Sequence, residues 1–488
     1  MNVGRTSLLL VPLALAARGV AFFVPVVFAA WYGVSNVMDA FFYALNIPTF
    51  FLVLGASAVA TVIVPPLAAL AERDPAGRSL FVGAALTWSV LVTVALGVAI
   101  GLVLPLFLPY TDFDAPTRDL TWGFYWRLLP VVSLNAATAV LKSACDVSGR
   151  FRLAAASPVL RTVVLIGTAG LMRDQGPASL PLAIALGLLA ECVWLGGVLL
   201  AEGIVPWPTL RVPPALAATA RMLIPVLTGE TLLALNVVID KQFAAGLPSG
   251  AVSILEYADR ARLIPQTLLE TTLLVVAYSA WARARARGDE AGRHRAVATT
   301  FWWIGMLAPP MLGGMTVGRE ALVRLLFEHG AFDPTYTALC ADVLGAFLVG
   351  LLAALVAVVA FKAHVVAGRY RLVGALGILS FALNTTLNAV FIGPFGLVGL
   401  AWSTTLTTAI VALAAFAPLW PELRHRLAPE TGRQLLGAVG ASALLTATLT
   451  ATIRPARVDD PALWLCAVPY LMVLAWSGRK VALQGASR

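Results

Sequence analysis

Charge is scarce in this chain. Asp, Glu, Lys and Arg make up 12% of its 488 residues, about half the share of an ordinary soluble domain. Beside 60% apolar residues, that deficit excludes a soluble enzyme, a nucleic-acid-binding domain and a disordered chain. Cysteine is thin as well: Cys145, Cys192, Cys340 and Cys466 sit in or beside apolar runs without CxxC spacing. Such placement speaks for packing rather than disulfides or metal clusters. The histidines His294, His329, His364 and His425 are scattered singly, so no metal site is expected. With no nucleophile–base pair and no phosphate-binding loop in the sequence, neither an enzymatic activity nor a bound cofactor is expected.

What fills the chain is long uncharged runs, among them 79–111, 296–318, 434–453 and 461–478. At roughly 20 residues per crossing, the apolar content supports at most about fourteen helices. The sequence therefore predicts an all-α polytopic membrane protein with spans near 6–31, 39–67, 80–109, 120–145, 151–172, 179–201, 222–244, 251–280, 296–317, 336–362, 372–392, 397–420, 434–453 and 461–478. Gly393-Pro394-Phe395-Gly396 supplies the turn between spans eleven and twelve. The apolar stretch after Arg5 runs past residue 30 without a small-residue cleavage pattern, so it reads as the first span, not a signal peptide. With the N-terminus cytoplasmic, 22 of the 34 basic residues fall in cytoplasmic segments and eight on the opposite face. The positive-inside bias then places both termini in the cytoplasm and accounts for the net charge of +9.

The chain also repeats itself. Ile47-Pro48 recurs as Ile264-Pro265, Phe113-Asp114 as Phe332-Asp333, Gly149-Arg150-Phe151-Arg152-Leu153 as Gly368-Arg369-Tyr370-Arg371-Leu372, and Gly176-Pro177 as Gly393-Pro394, all at offsets of 217 to 219. Each unit holds six spans, so the two enter the membrane in the same sense, related by an axis along the membrane normal. This gives an N-lobe (1–203), a proline-rich cytoplasmic linker (204–221), a C-lobe (222–421) and a segment 422–488 carrying helices thirteen and fourteen with a cytoplasmic tail. Two lobes around a central site form an alternating-access architecture.

Ionisable side chains inside spans are costly and mark function by default. Arg18, Asp39, Arg161 and Glu191 fall in the first lobe; Glu230, Asp240, Glu256, Asp259, Arg260, Arg262, Glu270 and Asp342 in the second. Asp39, Glu256 and Asp342 lie near enough to span ends to be hydrated, and Arg161 can snorkel. Arg18 sits near the middle of the first span, and Asp259, Arg260 and Arg262 crowd one turn of a proline-bearing helix. Their chemistry points to an anion site: guanidinium binds phosphate bidentately and stays charged, and Asp259 can hold an arginine when no ligand is bound. Pro48 and Pro265 are expected to break equivalent helices beside it. A second set, Asp240, Asn384, Asn388 and Thr404, offers oxygen ligands at similar depth, which suits a hard monovalent cation or, equally, interhelical hydrogen bonding.

At these residues the chain resembles the MurJ (MviN) family of lipid II flippases, within the multidrug/oligosaccharidyl-lipid/polysaccharide exporter superfamily. The resemblance covers nearly the whole chain. It is carried by Asp39-Ala40-Phe41-Phe42 with Ile47-Pro48, by the stretch from Asp240 through Pro265 including Leu247-Pro248-Ser249-Gly250, and by Leu326-Phe327-Glu328-His329-Gly330-Ala331-Phe332-Asp333. It implies a flippase for undecaprenyl-pyrophosphate-linked peptidoglycan precursor in the bacterial cytoplasmic membrane, with Arg18 and Arg260 at pyrophosphate-handling positions and Asp39, Asp259 and Arg262 beside them. It also implies a sodium site at Asp240, Asn384, Asn388 and Thr404, or coupling to the membrane potential. The implied partners are the lipid-linked glycan, the phospholipid bilayer and cell-wall synthesis proteins, with no nucleic acid. Family arginines are replaced here by Val24 and Leu52, and a family acid by Leu263. These departures leave room for another lipid-linked oligosaccharide, such as an O-antigen or exopolysaccharide unit, or for a transport-dead envelope-assembly scaffold.

Overall fold

A computed structural model describes residues 19–217, 234–270, 275–424 and 429–452. Their regular secondary structure is helical, without a strand among the described residues. The chain divides into two compact units, residues 1–253 and 254–488.

The first unit contains α1 (Gly19–Tyr32), α2 (Asn36–Arg73), α3 (Pro75–Val103), α4 (Ala115–Val147), α5 (Phe151–Leu171), α6 (Leu180–Ala201) and α7 (234–244). Short polar residues set the helix starts, each satisfying an orphan backbone donor: Ser35 accepts from Met38 N–H, Asp74 from Gly77 N–H and Asp114 from Thr117 N–H. α4 runs through the unit and packs on α2, α3 and α6, while α5 packs on α6. The core between them gathers Leu67, Phe81, Val140, Leu141, Leu195 and Leu199. Outward, α3 bares Leu80, Trp88, Leu91, Val92, Leu96 and Leu102, an apolar surface that only lipid would cover at no cost.

The linker is not a free tether over its first half. Residues 204–213, without regular secondary structure, run along α3, with Val205 N–H on Ser79 Oγ (3.3 Å), Thr209 N–H on Thr87 Oγ1 (3.0 Å) and Trp88 Nε1–H on the Leu210 carbonyl (3.3 Å). Gly83 makes this approach possible, because a Cβ there would stand 2.2 Å from the Trp207 carbonyl oxygen.

α8 (Ala251–Leu269) crosses the boundary in its first turn. The second unit continues with α9 (Val275–Ala286), α10 (Glu290–Val317), α11 (Arg319–Leu326), α12 (Thr337–Val366), α13 (Tyr370–Phe416), α14 (Trp420–Leu423) and α15 (Pro429–Thr452). Here α12 packs on α13, and α10 on α12 and α15. α13 is two spans in one continuous run, turned at Gly396, which takes φ 54°. The first part of span one, the first half of span seven and all of span fourteen lie outside the described residues.

The repeat landmarks are places where backbone geometry recurs. Gly149 and Gly368, at φ 73° and 77°, both end a helix in the left-handed region that glycine enters freely. Asp114 and Asp333 both cap the next helical segment. One landmark needs correction: the glycine conformationally equivalent to Gly176 (φ 63°) is Gly396, not Gly393. The prolines need correction too. Neither Pro48 nor Pro265 ends its helix; α2 and α8 continue past both, each losing a single backbone hydrogen bond, to the carbonyl four residues earlier.

Candidate functional site

The charged run of α8 is oriented by an aromatic clamp. Tyr257 is fully buried and packs against Phe327 and Phe332, with ring centroids 5.3 and 6.1 Å away. Ile254, Ala258 and Ala261 share its buried face. At about 100° per residue, Glu256, Asp259, Arg260 and Arg262 then occupy the opposite half of the helix circumference.

Within that half, the arginine that Asp259 holds is Arg262, and Arg260 pairs with Glu256. Arg260 Nε donates to Glu256 Oε1 at 2.7 Å, one turn back. Asp259 instead takes Arg262, through Nε at 3.0 Å and Nη2 at 2.5 Å. The Arg262 guanidinium also lies over the Phe347 ring of α12, 5.1 Å from its centroid, a favourable cation–π placement. Glu256 is 5% exposed and Arg260 36%, so the acid is not hydrated as the sequence suggests, while the arginine keeps an open side.

Asp39, near the start of α2, is buried too. Its Oδ2 accepts Gly250 N–H (2.6 Å), and its Oδ1 accepts both Ser253 N–H (2.8 Å) and Ser253 Oγ–H (2.5 Å). The carboxylate thus caps the start of α8 and pins the turn that precedes it, an engagement that leaves little acceptor capacity for a ligand in this conformation. Nearby, Tyr43 donates its hydroxyl to Gln242 of α7. Asp342 is exposed and paired with Arg319 at 3.1 Å. Arg18 lies outside the described residues.

The cation candidates are divided between the units. Asp240 is half-buried in α7 of the first. In the second, Asn384 and Asn388 are buried on one face of α13, and Ser403, across the Gly396 turn, donates to Asn388 Oδ1. Thr404, next to it, donates to the Leu400 carbonyl of its own helix. Sequence reasoning misses Ser403 and sets Glu256 aside as an acid near a span end. Glu256 had a signal, its i,i+4 spacing to Arg260; Ser403 had none beyond its neighbour.

Apolar helices of bilayer length, with arginines and carboxylates gathered on one proline-bearing helix, define a polytopic membrane transporter. The profile of the family described as lipid II flippase MurJ matches residues 28–456, and the chain belongs to that family. A probable lipid II flippase MurJ of Vibrio cholerae is 25% identical, over 94% of this chain and 90% of its own. The lipid II flippase MurJ of Burkholderia cenocepacia is 24% identical, over 91% and 89%. A solved lipid II flippase MurJ in an inward closed conformation shares the fold at TM-score 0.80 and 18% identity, over 99% of this chain and 100% of that one. An inward-facing multidrug resistance MATE family transporter of the MOP superfamily matches at 0.69 and 13%, over 83% and 98%.

Proposed function

We propose that this chain moves lipid II, an undecaprenyl-pyrophosphate-linked peptidoglycan precursor, from the inner to the outer leaflet of the bacterial cytoplasmic membrane by alternating access. The observation that carries the reading is the acid-held arginine pair of α8. Glu256 and Asp259 stand in for an anionic ligand, keeping both guanidinium groups oriented and their burial tolerable until a pyrophosphate competes for them. Arg18 is assigned to the same substrate, from the first span. Asp39 serves it indirectly, by holding the turn that leads into α8. Asp240, Asn384, Asn388 and Thr404 are assigned to a coupling sodium ion, with the membrane potential as the other driving force. The remaining architecture belongs to the same reading: fourteen spans, lobes at 1–203 and 222–421, both termini cytoplasmic, and cell-wall synthesis proteins as partners.

Val24 and Leu52, in place of family arginines, favour a second substrate, another pyrophosphate-linked oligosaccharide. Complementation separates the readings. Expression in a bacterium depleted of its lipid II flippase restores growth under the first, whereas rescue of an O-antigen flippase mutant alone selects the second. Rescue of neither, at normal abundance, leaves the scaffold reading.

A further inference from the structure

The first unit carries an intramembrane ion pair outside the substrate set. Glu191 lies at the middle of α6 and Arg161 at the middle of α5, each about 15 Å from its helix ends. Gly187 lets the two helices meet, because a Cβ there would sit 2.7 Å from the Arg161 carbonyl oxygen. Glu191 is 1% exposed and Arg161 29%; Arg161 Nη1 stands 3.3 Å from Glu191 Oε2, yet no hydrogen bond closes on that oxygen.

The other carboxylate oxygen is contested. Ser157 Oγ is 2.8 Å from Glu191 Oε1 and 2.9 Å from the Ala154 carbonyl oxygen, but one hydroxyl has one hydrogen to donate. The Ala154 carbonyl depends on that hydrogen, since its regular helical donor would be the N–H of residue 158, and Pro158 has none. Both acceptors are buried. With Glu191 ionised, one of them goes without. With Glu191 protonated on Oε1, its O–H donates to Ser157 Oγ and Ser157 donates to Ala154, so neither contested group goes without a partner. Arg161, partly exposed, is then no longer held by a full negative charge.

We propose that Glu191 is a proton-binding site: it takes a proton from water, releasing Arg161, in one half of the transport cycle and returns it in the other. Arg161 is the charged group facing it from α5. From α4 the facing group is Thr138, 3.1 Å from Cys192 Sγ, with Lys142 and Asp146 one and two turns further along. α6 itself adds Cys192, and Arg173 and Asp174 stand in the turn that leads into α6.

The test uses the full chain in liposomes. Infrared difference spectra taken on acidification should show a carboxylic-acid C=O band in the wild type that is missing from Glu191→Gln, a change that keeps the shape. Pro158→Ala returns an N–H to the Ala154 carbonyl and frees Ser157 for the carboxylate. It should weaken proton binding roughly three- to tenfold, the ordinary net worth of one hydrogen bond. An imposed pH gradient should alter the rate of flipping of a fluorescent lipid II analogue in the wild type and not in Glu191→Gln. Identical spectra for the two proteins overturn the proposal, as does an equal response of both to the gradient. Pro158→Ala binding the proton as tightly as the wild type refutes the competition for Ser157. If the wild type flips nothing, it is the substrate reading that fails, and the infrared comparison still decides the site.

Discussion

Removing Arg260 should have two separable consequences, because its partner is more buried than it is. Glu256 is 5% exposed, and stripping a buried carboxylate of its 2.7 Å guanidinium partner costs about 3–5 kcal/mol. Arg260→Ala should therefore lower the amount of folded protein before any effect on substrate is counted. Glu256→Gln combined with Arg260→Ala leaves no uncompensated charge and should restore abundance. The substrate effect remains in the double variant. A charge-assisted contact contributes about 1.5–3 kcal/mol, and at 36% exposure the lower end applies, so about 1.5–2 kcal/mol is lost. Affinity for a lipid-linked pyrophosphate should then fall roughly 10- to 30-fold. Arg260→Lys keeps the charge without the fork and should fall between. The assay is flipping of a fluorescent lipid II analogue in proteoliposomes at matched protein content, beside abundance in membranes. Normal flipping by the double variant would refute the substrate role; lost abundance persisting in it would refute the pairing argument.

Asp39→Ala should remove the acceptor of three donors at the start of α8, costing about 2–4 kcal/mol. Faster deuterium exchange at the amides of Gly250 and Ser253 would report it, and unchanged exchange would contradict it. Gly83→Ala should push the Trp207 carbonyl off α3, raising protease cleavage within 204–213; undiminished protection would mean the strap is held elsewhere. Asp240→Ala should weaken sodium binding more than Asn384→Ala or Thr404→Ala, since it removes the full charge of the set. Sodium-independent transport in the wild type, with an unaffected Asp240→Ala variant, would remove the ion site. Cysteines placed at 114 and 290 should react with an impermeant reagent from outside and from inside respectively, and the reverse pattern would invert the topology.

Much of the helical layout is legible in the sequence because bilayer spans are written in uncharged runs, and the turns between them in glycine, proline and capping aspartate. Gly149 and Gly368 repeat because a left-handed helix end tolerates little else. Asp114 and Asp333 repeat because each caps a helical start. The pairing of charges is harder to read. Asp259 and Arg260 look like partners on the page, yet neighbours on a helix point about 100° apart, so each bonds instead to a residue three or four positions away. Asp39 reads as a site acid because an intramembrane carboxylate is costly. Its partners, Gly250 and Ser253, lie more than 200 residues away, and nothing local announces them. The strap at 204–213 reads as a tether from its prolines, while what pins it is two hydroxyls, one indole N–H and a missing Cβ on α3.

The two arginines of α8 are not equivalent. A guanidinium offers five N–H donors in a fixed fork. Arg262 commits Nε and one Nη to Asp259 and lays its face on Phe347, so it joins α8 to α12 and has little left to offer an anion. Arg260 commits Nε alone to Glu256. Among the described residues its two Nη groups meet no acceptor, and its side chain stays partly open. The free edge of the fork, the one that binds a phosphate bidentately, therefore belongs to Arg260. Under the proposed function, anion recognition in this helix therefore falls to Arg260, with Arg262 fixing the platform from which it reaches.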